Sequence, residues 1–307
     1  MKNTSRSPIS PRARATAIAA TSSCVTIGFT LLAAPGSARA ESIPIVNPGF
    51  EEVEGTWLFN EFSFGAPPGW SLHDPAGIAG SGAGPTCYVG TLRPFEIDPA
   101  GSPGVFVYFP AGAPQGERVA IAFNVAGSGG QGEYGIVQTL AATLQPTSYT
   151  LTVLVGNIAS GSALSGEFFD LDGFPGYRIE LLAGGVVIGS DDNALAGSIP
   201  EGEFAPSIIS VAIPRGHPGV GQPIGIRLVN LNIVDPLFPA ADLEVDFDDV
   251  RLEAAPSSPG ADLDGNGIVD GADLGLLLAA WNTPEADLDG DGTTDGADLG
   301  LLLAEWS

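Results

Sequence analysis

Basic residues are scarce in this chain of 307 residues, which has 11 lysines and arginines against 36 aspartates and glutamates. A protein that binds nucleic acid needs a basic surface to displace counterions from phosphates, and a formal net charge of −25 provides none. Anionic membrane surfaces are disfavoured for the same reason. Disorder is also excluded, because 44% of the residues are hydrophobic. The sequence therefore predicts a folded acidic protein with no nucleic-acid partner.

Cysteine is almost absent as well, with Cys24 and Cys87 alone. Residues 1–40 have a basic start, an apolar middle and small residues at Ala38 and Ala40, which is the pattern of a secretory signal peptide cleaved after Ala40. The alternative is an uncleaved signal anchor, because the apolar run approaches the roughly 20 residues of a membrane helix. Cleavage predicts a secreted, extracellular or cell-surface protein without membrane insertion. The cleaved protein would retain only Cys87, so no internal disulfide is expected.

A tandem repeat ends the chain: residues 261–281 and 286–306 differ at only four positions. Each copy begins with a loop of 12 residues that has carboxylates or amides at positions 1, 3, 5, 9 and 12 and glycine at position 6. Ca²⁺ takes six to eight oxygen ligands, and such a loop supplies them, with the backbone carbonyl of Ile268 or Thr293 at position 7. The predicted side-chain ligands are Asp262, Asp264, Asn266, Asp270 and Asp273 in the first loop and Asp287, Asp289, Asp291, Asp295 and Asp298 in the second.

An apolar helical pattern follows each calcium loop, and no helical pattern precedes either one. The apolar residues have helical spacing: Leu274, Leu277, Leu278 and Trp281 in the first copy, and Leu299, Leu302, Leu303 and Trp306 in the second. This duplicated loop and helix, with aspartate at position 12, resembles a type I dockerin. The resemblance implies two structural Ca²⁺ ions and docking to a cohesin-like module on a scaffold or cell surface.

The repeat departs from the dockerin pattern at loop positions 10 and 11. Dockerins often have serine or threonine there and basic residues along the helix. This chain has Gly271-Ala272 and Gly296-Ala297, and residues 261–307 contain no basic residue. The departure leaves the calcium prediction intact, but a surface receptor other than cohesin remains an alternative partner.

Residues 41–254 have short apolar runs of period two that are separated by glycine, proline, asparagine and aspartate, without a helical pattern. This pattern predicts an antiparallel β-sandwich. The Pro/Ser-rich stretch 255–260 is expected to be a linker to the repeat module at 261–307. The predicted fold is therefore mainly β: a jelly-roll sandwich followed by a small helical tandem F-hand, or dockerin, calcium module.

The last strand pattern of the sandwich is irregular. Apolar residues alternate through Val245 and Phe247 and resume at Val250 and Leu252, so the alternation slips by one residue. A β-bulge would keep both sets facing inward and would re-aim a carboxylate such as Asp248.

The two ends of the sandwich segment are expected to meet. Terminal strands of jelly rolls commonly lie side by side, which would bring Glu51 close to Asp248. Two carboxylates that close repel each other unless a cation lies between them. The alternative is an exposed acidic strand end.

Several short motifs, among them Asn47-Pro48-Gly49-Phe50-Glu51 and Phe247-Asp248-Asp249-Val250, resemble the galactose-binding-like jelly rolls. That group includes calcium-containing carbohydrate-binding modules and the sandwich family of the Stig cyclases. The resemblance implies a structural Ca²⁺ held by Glu51 and Asp248 together with backbone carbonyls.

No catalytic residue can be assigned from the sequence. There are only two histidines and no GxSxG motif, and Cys87 is expected to be a small buried residue. Tyr88 and Tyr134, in predicted loops, are the candidates for an exposed platform that stacks on sugars.

Three functions remain open at this stage. The leading hypothesis is a non-catalytic secreted protein whose sandwich binds carbohydrate or another surface ligand and is anchored through the dockerin. The alternative is an extracellular enzyme, either a glycosyl hydrolase that acts in polysaccharide breakdown or a Stig cyclase-like enzyme. A third reading is a purely structural surface protein.

Overall fold

The structure, a computed structural model, describes residues 40–55, 60–96, 106–214, 216–255, 260–264 and 268–306. Most of the predicted signal peptide, residues 256–259 of the predicted linker and Asn266 lie outside these ranges. The strands are β1 Glu41–Ile43, β2 Phe62–Phe64, β3 Ser71–His73, β4 Cys87–Leu92, β5 Phe95–Glu96, β6 Phe106–Val107, β7 Val119–Asn124, β8 Tyr134–Thr143, β9 Ser148–Asn157, β10 Gly161–Ser162, β11 Phe168–Phe169, β12 Tyr177–Ala183, β13 Val186–Asp192, β14 Glu203–Ala212, β15 Pro223–Asn230 and β16 Leu243–Ala255. Two helices follow, α1 Gly271–Ala279 and α2 Gly296–Ala304.

The strands form two antiparallel sheets, which confirms the predicted mainly β fold and fits a β-sandwich. The larger sheet has seven strands in the order β14-β9-β16-β7-β4-β2, with β1 paired to β16. The smaller sheet has five strands in the order β13-β12-β15-β8-β3. Two further pairs, β5 with β6 and β10 with β11, lie outside these sheets. As predicted, the first and last strands of the domain lie side by side.

One large apolar core gathers residues from both sheets. It takes alternate residues of β9 from Leu151 to Val155 and, from the smaller sheet, Ile179 and Leu181. Trp70 belongs to this core. Cys87 is also buried in it, as the sequence predicted. Since such strands place alternate side chains on opposite faces, this layer uses one face of each sheet.

A second apolar cluster covers the other face of the larger sheet. On β7, Val119, Ile121 and Phe123 belong to this second cluster, whereas Ala120 and Ala122 belong to the main core. The covering residues include Tyr108 and Phe109 and the segment from Ile158 to Leu171. Around β4 and β7 the larger sheet is therefore buried on both faces, unlike a sandwich sheet that faces solvent.

Strand β16 contains the predicted bulge. Its register with β9 shifts between Asp248 and Arg251, and Asp249 has a left-handed backbone with φ of 49°. Val245 and Val250, on either side of the shift, both enter the main core. The one-residue shift in the apolar alternation of the sequence therefore corresponds to a β-bulge, in which an extra residue is inserted where β16 pairs with β9.

The C-terminal residues form two acidic loops and two helices with an apolar cluster of their own. Helices α1 and α2 follow the two acidic loops, as predicted, and begin after Asp270 and Asp295. Leu277 and Leu302 are fully buried in a third apolar cluster, whereas Leu278, Leu303 and both tryptophans are exposed. No helix in the described ranges is long and apolar enough to cross a membrane.

Candidate functional site

The second apolar cluster encloses a small pocket against the larger sheet. It is lined by Phe62, Tyr88, Leu92, Tyr108, Ile158, Phe169, Leu171 and one acid, Glu244. The sheet supplies Tyr88, Leu92 and Glu244, and the covering segments supply Tyr108, Ile158, Phe169 and Leu171. A carboxyl group therefore opens onto a space that is otherwise bounded by apolar and aromatic side chains.

Glu244 is paired with a second buried acid on the same strand. Glu244 and Asp246 are two residues apart on β16, so both point to the face that carries the second cluster. The charge of Glu244 acts directly on Asp246. Within the described residues, Glu244 Oε1 and both Asp246 oxygens are buried and have no hydrogen-bond partner.

Burial controls the protonation of this pair. Desolvation raises the pKa of Glu244, and the nearby charge of Asp242 raises it further. Desolvation also raises the pKa of Asp246, and Glu244 adds to that increase. Because two anions so close together in an apolar environment would repel each other, the pair keeps protons that an exposed carboxyl would release. A carboxyl group with a raised pKa is therefore placed at the pocket.

Aromatic rings pack closely around the pocket. Tyr88 stacks on Phe123 with ring centroids 4.8 Å apart, and Phe169 meets Phe123 edge to face at 5.8 Å. Phe62 lies 6.2 Å from Phe169. Such rings present electron-rich faces, which stabilise positive charge as well as bind flat apolar groups.

The pocket is closed in this structure. Its cavity is about 10 Å³, which accommodates about one water molecule. Pockets that bind small organic ligands measure about 300–1,000 Å³. The covering segments must therefore move before the pocket can accept an organic ligand.

Glu244 and Asp246 were not predicted as site residues, because acids alternating with apolar residues on a terminal strand normally face solvent. A signal was present in neighbouring strands. Both β4 and β7 are apolar at consecutive positions, and every residue of each is buried. Strands that are apolar on both faces indicate a sheet covered on both sides.

Tyr88 and Tyr134 do not occupy the exposed loops expected of them. Tyr88 lies within β4 and is 7% exposed, and Tyr134 begins β8 and is fully buried. The expectation of exposure was wrong because both positions belong to sheet strands rather than loops. Neither tyrosine can form an exposed sugar-stacking platform, although Tyr88 does line the pocket.

Glu51 and Asp248 meet at one backbone segment, as the predicted pairing of the domain ends requires. Asp248 Oδ2 accepts a hydrogen bond from Gln115 N at 2.7 Å, and Glu51 Oε1 accepts from Glu117 N and Arg118 N, both at 2.8 Å. Burial raises the pKa of Asp248 to about 7, and the nearby charge of Glu51 contributes to the increase. Two carboxylates that repel each other at a shared segment form a donor set that suits Ca²⁺.

Gly116 provides a test of this segment. It has φ of 69°, and a Cβ at this residue would lie 2.3 Å from Glu51 Oε1. We expect Gly116→Ala to displace the Glu51 carboxylate and to destabilise the fold by about 1–3 kcal/mol, because alanine would be strained there and would also clash. Denaturant unfolding with and without Ca²⁺ measures both effects. Gly112→Ala is the control, since Gly112 also has a positive φ but no neighbour within 4 Å of the added carbon. Equal losses of stability in both variants would exclude a special role for the Glu51 contact.

The C-terminal loops bring several of their predicted ligands together. Oxygens of Asp262, Asp264 and Asp273 lie within 4.8 Å of one another, and so do oxygens of Asp287, Asp289 and Asp291. The described part of the chain contains no comparable third group of acids, cysteines or histidines. Carboxylate clusters of this kind are the donor type that Ca²⁺ prefers.

The aspartates at position 12 organise the loops from within. Asp298 accepts hydrogen bonds from Leu288 N at 2.6 Å, Asp289 N at 3.1 Å and Asp295 N at 2.6 Å, and Asp273 makes the equivalent three bonds. Burial opposes ionisation of both side chains, but these bonds outweigh it and lower the pKa of each. Both aspartates are thus held as carboxylates.

The remaining predicted ligands have other positions. Asp270 and Asp295 act as helix N-caps, accepting from Ala272 N and Ala297 N at 2.7 Å, and neither joins an acidic cluster. Ile268 and Thr293 are the position-7 residues in these loops, and their role as carbonyl ligands stays a prediction. Asn266 lies outside the described residues.

Comparison with known proteins concerns the sandwich. Residues 41–253 match the HpiC1-like family, which is described as HpiC1 cyclase. The crystal structure of a cyclase from Fischerella sp. TAU is 39% identical, with a TM-score of 0.56; the match covers 71% of this chain and 98% of that chain. No curated protein matches the chain.

Two ligand complexes from Fischerella sp. TAU are also similar. A cyclase bound to 4-(1H-indol-3-yl)butan-2-one is 38% identical, with a TM-score of 0.56 and coverage of 71% of this chain and 98% of that chain. The Stig cyclase Fisc bound to (3Z)-3-(1-methyl-2-pyrrolidinylidene)-3H-indole is 37% identical, with the same TM-score and coverage of 71% and 99%. The family match spans more than half of the chain and includes the strand that carries Glu244, and the chain therefore belongs to the HpiC1-like cyclase family.

Proposed function

We propose that residues 41–253 form a cyclase that binds a flat, indole-like substrate in the aromatic pocket, with Glu244 as the general acid. The observation that carries this proposal is a buried carboxyl group, whose pKa is raised by burial, in a pocket otherwise lined by apolar and aromatic side chains. The indole compounds bound by similar cyclases support the substrate class. Family membership favours the Stig cyclase-like enzyme, which was an alternative, over the non-catalytic carbohydrate-binding protein that was the leading hypothesis from the sequence.

The arrangement suits ring closure that begins with protonation. Glu244 donates its proton to a double bond of the substrate, and the cation formed is stabilised by the faces of Tyr88, Phe62 and Phe169. An internal nucleophilic carbon attacks that cation and closes the ring, after which a proton leaves the product. The Glu244–Asp246 pair takes that proton back, so substrate and product have equal mass and no oxidant is consumed.

Ligand binding tests the pocket. We expect the chain to bind 4-(1H-indol-3-yl)butan-2-one, and we expect Phe169→Ala to weaken binding by about tenfold or more, because a buried aromatic contact would be lost. Isothermal titration calorimetry measures both affinities. Phe168→Ala is the matched control, because Phe168 is adjacent but 64% exposed and does not line the pocket.

Equal losses of affinity in both phenylalanine variants would contradict a specific role for the pocket. Failure of the unmodified chain to bind any indole compound, while it remains folded, would contradict the substrate class. Binding that persists in a variant whose pocket is filled, such as Leu171→Trp, would place the ligand elsewhere.

We also propose that the C-terminal repeats form a dockerin-like module that binds two Ca²⁺ ions and anchors the enzyme outside the cell. The two clustered acid triads and the duplicated helices support this proposal. The exposed apolar residues of both helices form a surface suited to a cohesin-like or other surface receptor. A third Ca²⁺ would bind Glu51 and Asp248 in the sandwich, where it would neutralise two repelling carboxylates.

A further inference from the structure

One segment covers the pocket as a hairpin, and this segment, residues 158–171, is called the lid below. Strands β10 and β11 pair within it, and its tip is a turn in which Gly166 N donates to Ala163 O at 2.8 Å. Ile158, Phe169 and Leu171 of the lid line the pocket. Because the closed cavity holds about one water molecule, access to Glu244 depends on movement of a covering segment such as this one.

The base of the lid is fastened by its own residues. Leu171 N donates to Ser160 Oγ at 2.8 Å, and Ser160 Oγ donates to Asp172 Oδ1 at 2.6 Å. Asp242 N, just before β16, donates to Asp170 O at 2.7 Å. These bonds join the two ends of the hairpin to each other and to the strand that carries Glu244, so they can stay intact while the tip moves.

The tip is fastened by a residue from a different element. Glu61, the residue before β2, is fully buried, and its Oε2 accepts a hydrogen bond from Leu164 N at 3.0 Å. Burying a carboxyl group at the edge of an apolar cluster carries a desolvation cost that an apolar side chain would avoid. A hydrogen bond differs from apolar packing in that water can replace it when the tip lifts.

We infer that Glu61 is a positioning residue that latches the lid over the Glu244 pocket and sets how often the pocket opens. This inference rests on the proposed function, since it assigns the closed pocket to a substrate that must enter. Glu61 acts through Leu164 N and the lid, and it donates no proton to the substrate.

Leu164→Pro is the sharpest test, because it removes the N–H donor and leaves the buried carboxyl in place. Residue 164 occupies the second position of the tip turn, where proline is favoured. Glu61→Gln is the conservative counterpart, since the amide oxygen can still accept the bond. Glu167→Ala is the control, because Glu167 is an exposed acid of the same hairpin.

The measurement is hydrogen exchange of the full chain, followed by mass spectrometry of peptides from the lid. Without ligand, we expect Leu164→Pro to speed exchange in residues 158–171 by about 10- to 100-fold, because the buried Glu61 Oε2 loses this donor. The single variant Glu61→Gln should keep the lid exchange rates within a few fold of those of the unmodified chain, and Glu167→Ala should leave them unchanged. Saturation with 4-(1H-indol-3-yl)butan-2-one should slow lid exchange in the unmodified chain. The Leu164→Pro substitution should shorten the residence time of this ligand.

Unchanged lid exchange in Leu164→Pro would overturn the latch, and bound ligand that leaves lid exchange unaltered would overturn the lid. If no indole compound binds, the proposed function fails while the comparison without ligand still decides whether Glu61 fastens the hairpin. Leu164→Pro could instead speed exchange throughout the sandwich. In that case, exchange in the same lid peptides is compared between Glu61→Ala, which removes the acceptor, and Glu61→Gln, which keeps it. Equal lid exchange rates in these two variants would refute the inference.

Discussion

Glu244→Gln should abolish turnover while leaving the protein folded. Glutamine has nearly the same shape as glutamic acid but cannot donate an acidic proton, and general acid catalysis typically contributes about 10²–10⁴-fold to a rate. We therefore expect turnover to fall by at least about 100-fold. The assay follows conversion of indole-bearing substrates to ring-closed products of equal mass by liquid chromatography and mass spectrometry.

Glu253→Gln is the matched control, because Glu253 lies on the same strand and is exposed. Its turnover should equal that of the unmodified chain. Asp246→Asn tests the pair: we expect reduced turnover with a shifted pH profile, because the asparagine no longer exchanges a proton with Glu244. Turnover in Glu244→Gln within tenfold of the unmodified chain would remove Glu244 from the chemistry.

Glu244→Gln should also change how the stability of the folded protein depends on pH. Burial raises the pKa of Glu244, so the folded protein keeps a proton that the unfolded chain releases at the ordinary carboxyl pKa. Between these two values the folded state binds more protons, and stability therefore falls as pH rises through that window. Glutamine has no proton to release, so Glu244→Gln should be more stable than the unmodified chain above the window and similar to it below. Thermal unfolding at pH 4 and pH 9 measures the difference.

Turnover of the unmodified chain should decline as pH rises through the raised pKa of Glu244, because only the protonated acid can act. A turnover profile that instead falls as pH drops below neutral would indicate a catalytic base. Stability of Glu244→Gln that equals that of the unmodified chain at pH 9 would contradict the raised pKa.

Asp298→Ala should unfold the second half of the C-terminal module and eliminate one of the two proposed Ca²⁺ ions. The substitution leaves the N–H groups of Leu288, Asp289 and Asp295 without their acceptor and removes the capping box of α2. An unsatisfied buried donor costs about 1–3 kcal/mol and loss of a cap costs about 1 kcal/mol more, so the module should lose at least about 3 kcal/mol. Calcium titration calorimetry of the full chain should show one C-terminal ion fewer than in the unmodified chain.

Asp273→Ala should have the equivalent effect on the first loop, and the double variant should remove both C-terminal ions. Glu285→Ala is the control, because it also removes one acid from an exposed position between the repeats. If Asp298→Ala binds as many ions as the unmodified chain, the proposed calcium loops are wrong.

Acid should weaken this module, in the opposite sense to the sandwich pocket. The backbone hydrogen bonds that lower the pKa of Asp273 and Asp298 stabilise the module above the ordinary carboxyl pKa. That stabilisation is lost as pH falls through the lowered values, because protonation weakens those bonds.

Local patterns in the sequence determined the C-terminal repeats and the bulge. The positions of α1 and α2 follow from the acidic loops and the helical spacing after them, because capping and helix formation depend on residues a few positions apart. The bulge in β16 was predictable because the apolar alternation around Asp248 shifts by one residue. The meeting of Glu51 and Asp248 followed from pairing of the domain ends.

Tertiary structure alone decided where the candidate pocket lies. Glu244 and Asp246 would face water on an uncovered sheet and would then be ordinary carboxylates. They are buried because Tyr108, Phe109 and the lid fold across the second face of the larger sheet. Tyr88 and Tyr134 became interior residues for a similar reason, since strand pairing with distant segments removed them from the surface.

The sequence by itself thus determined the β-sandwich, the bulge and the acidic loops with their helices, all of which depend on short-range patterns. Only the tertiary structure buried two strand acids and so raised the pKa of each. Desolvation depends on which distant segments cover a residue, and no local pattern around Glu244 records that cover.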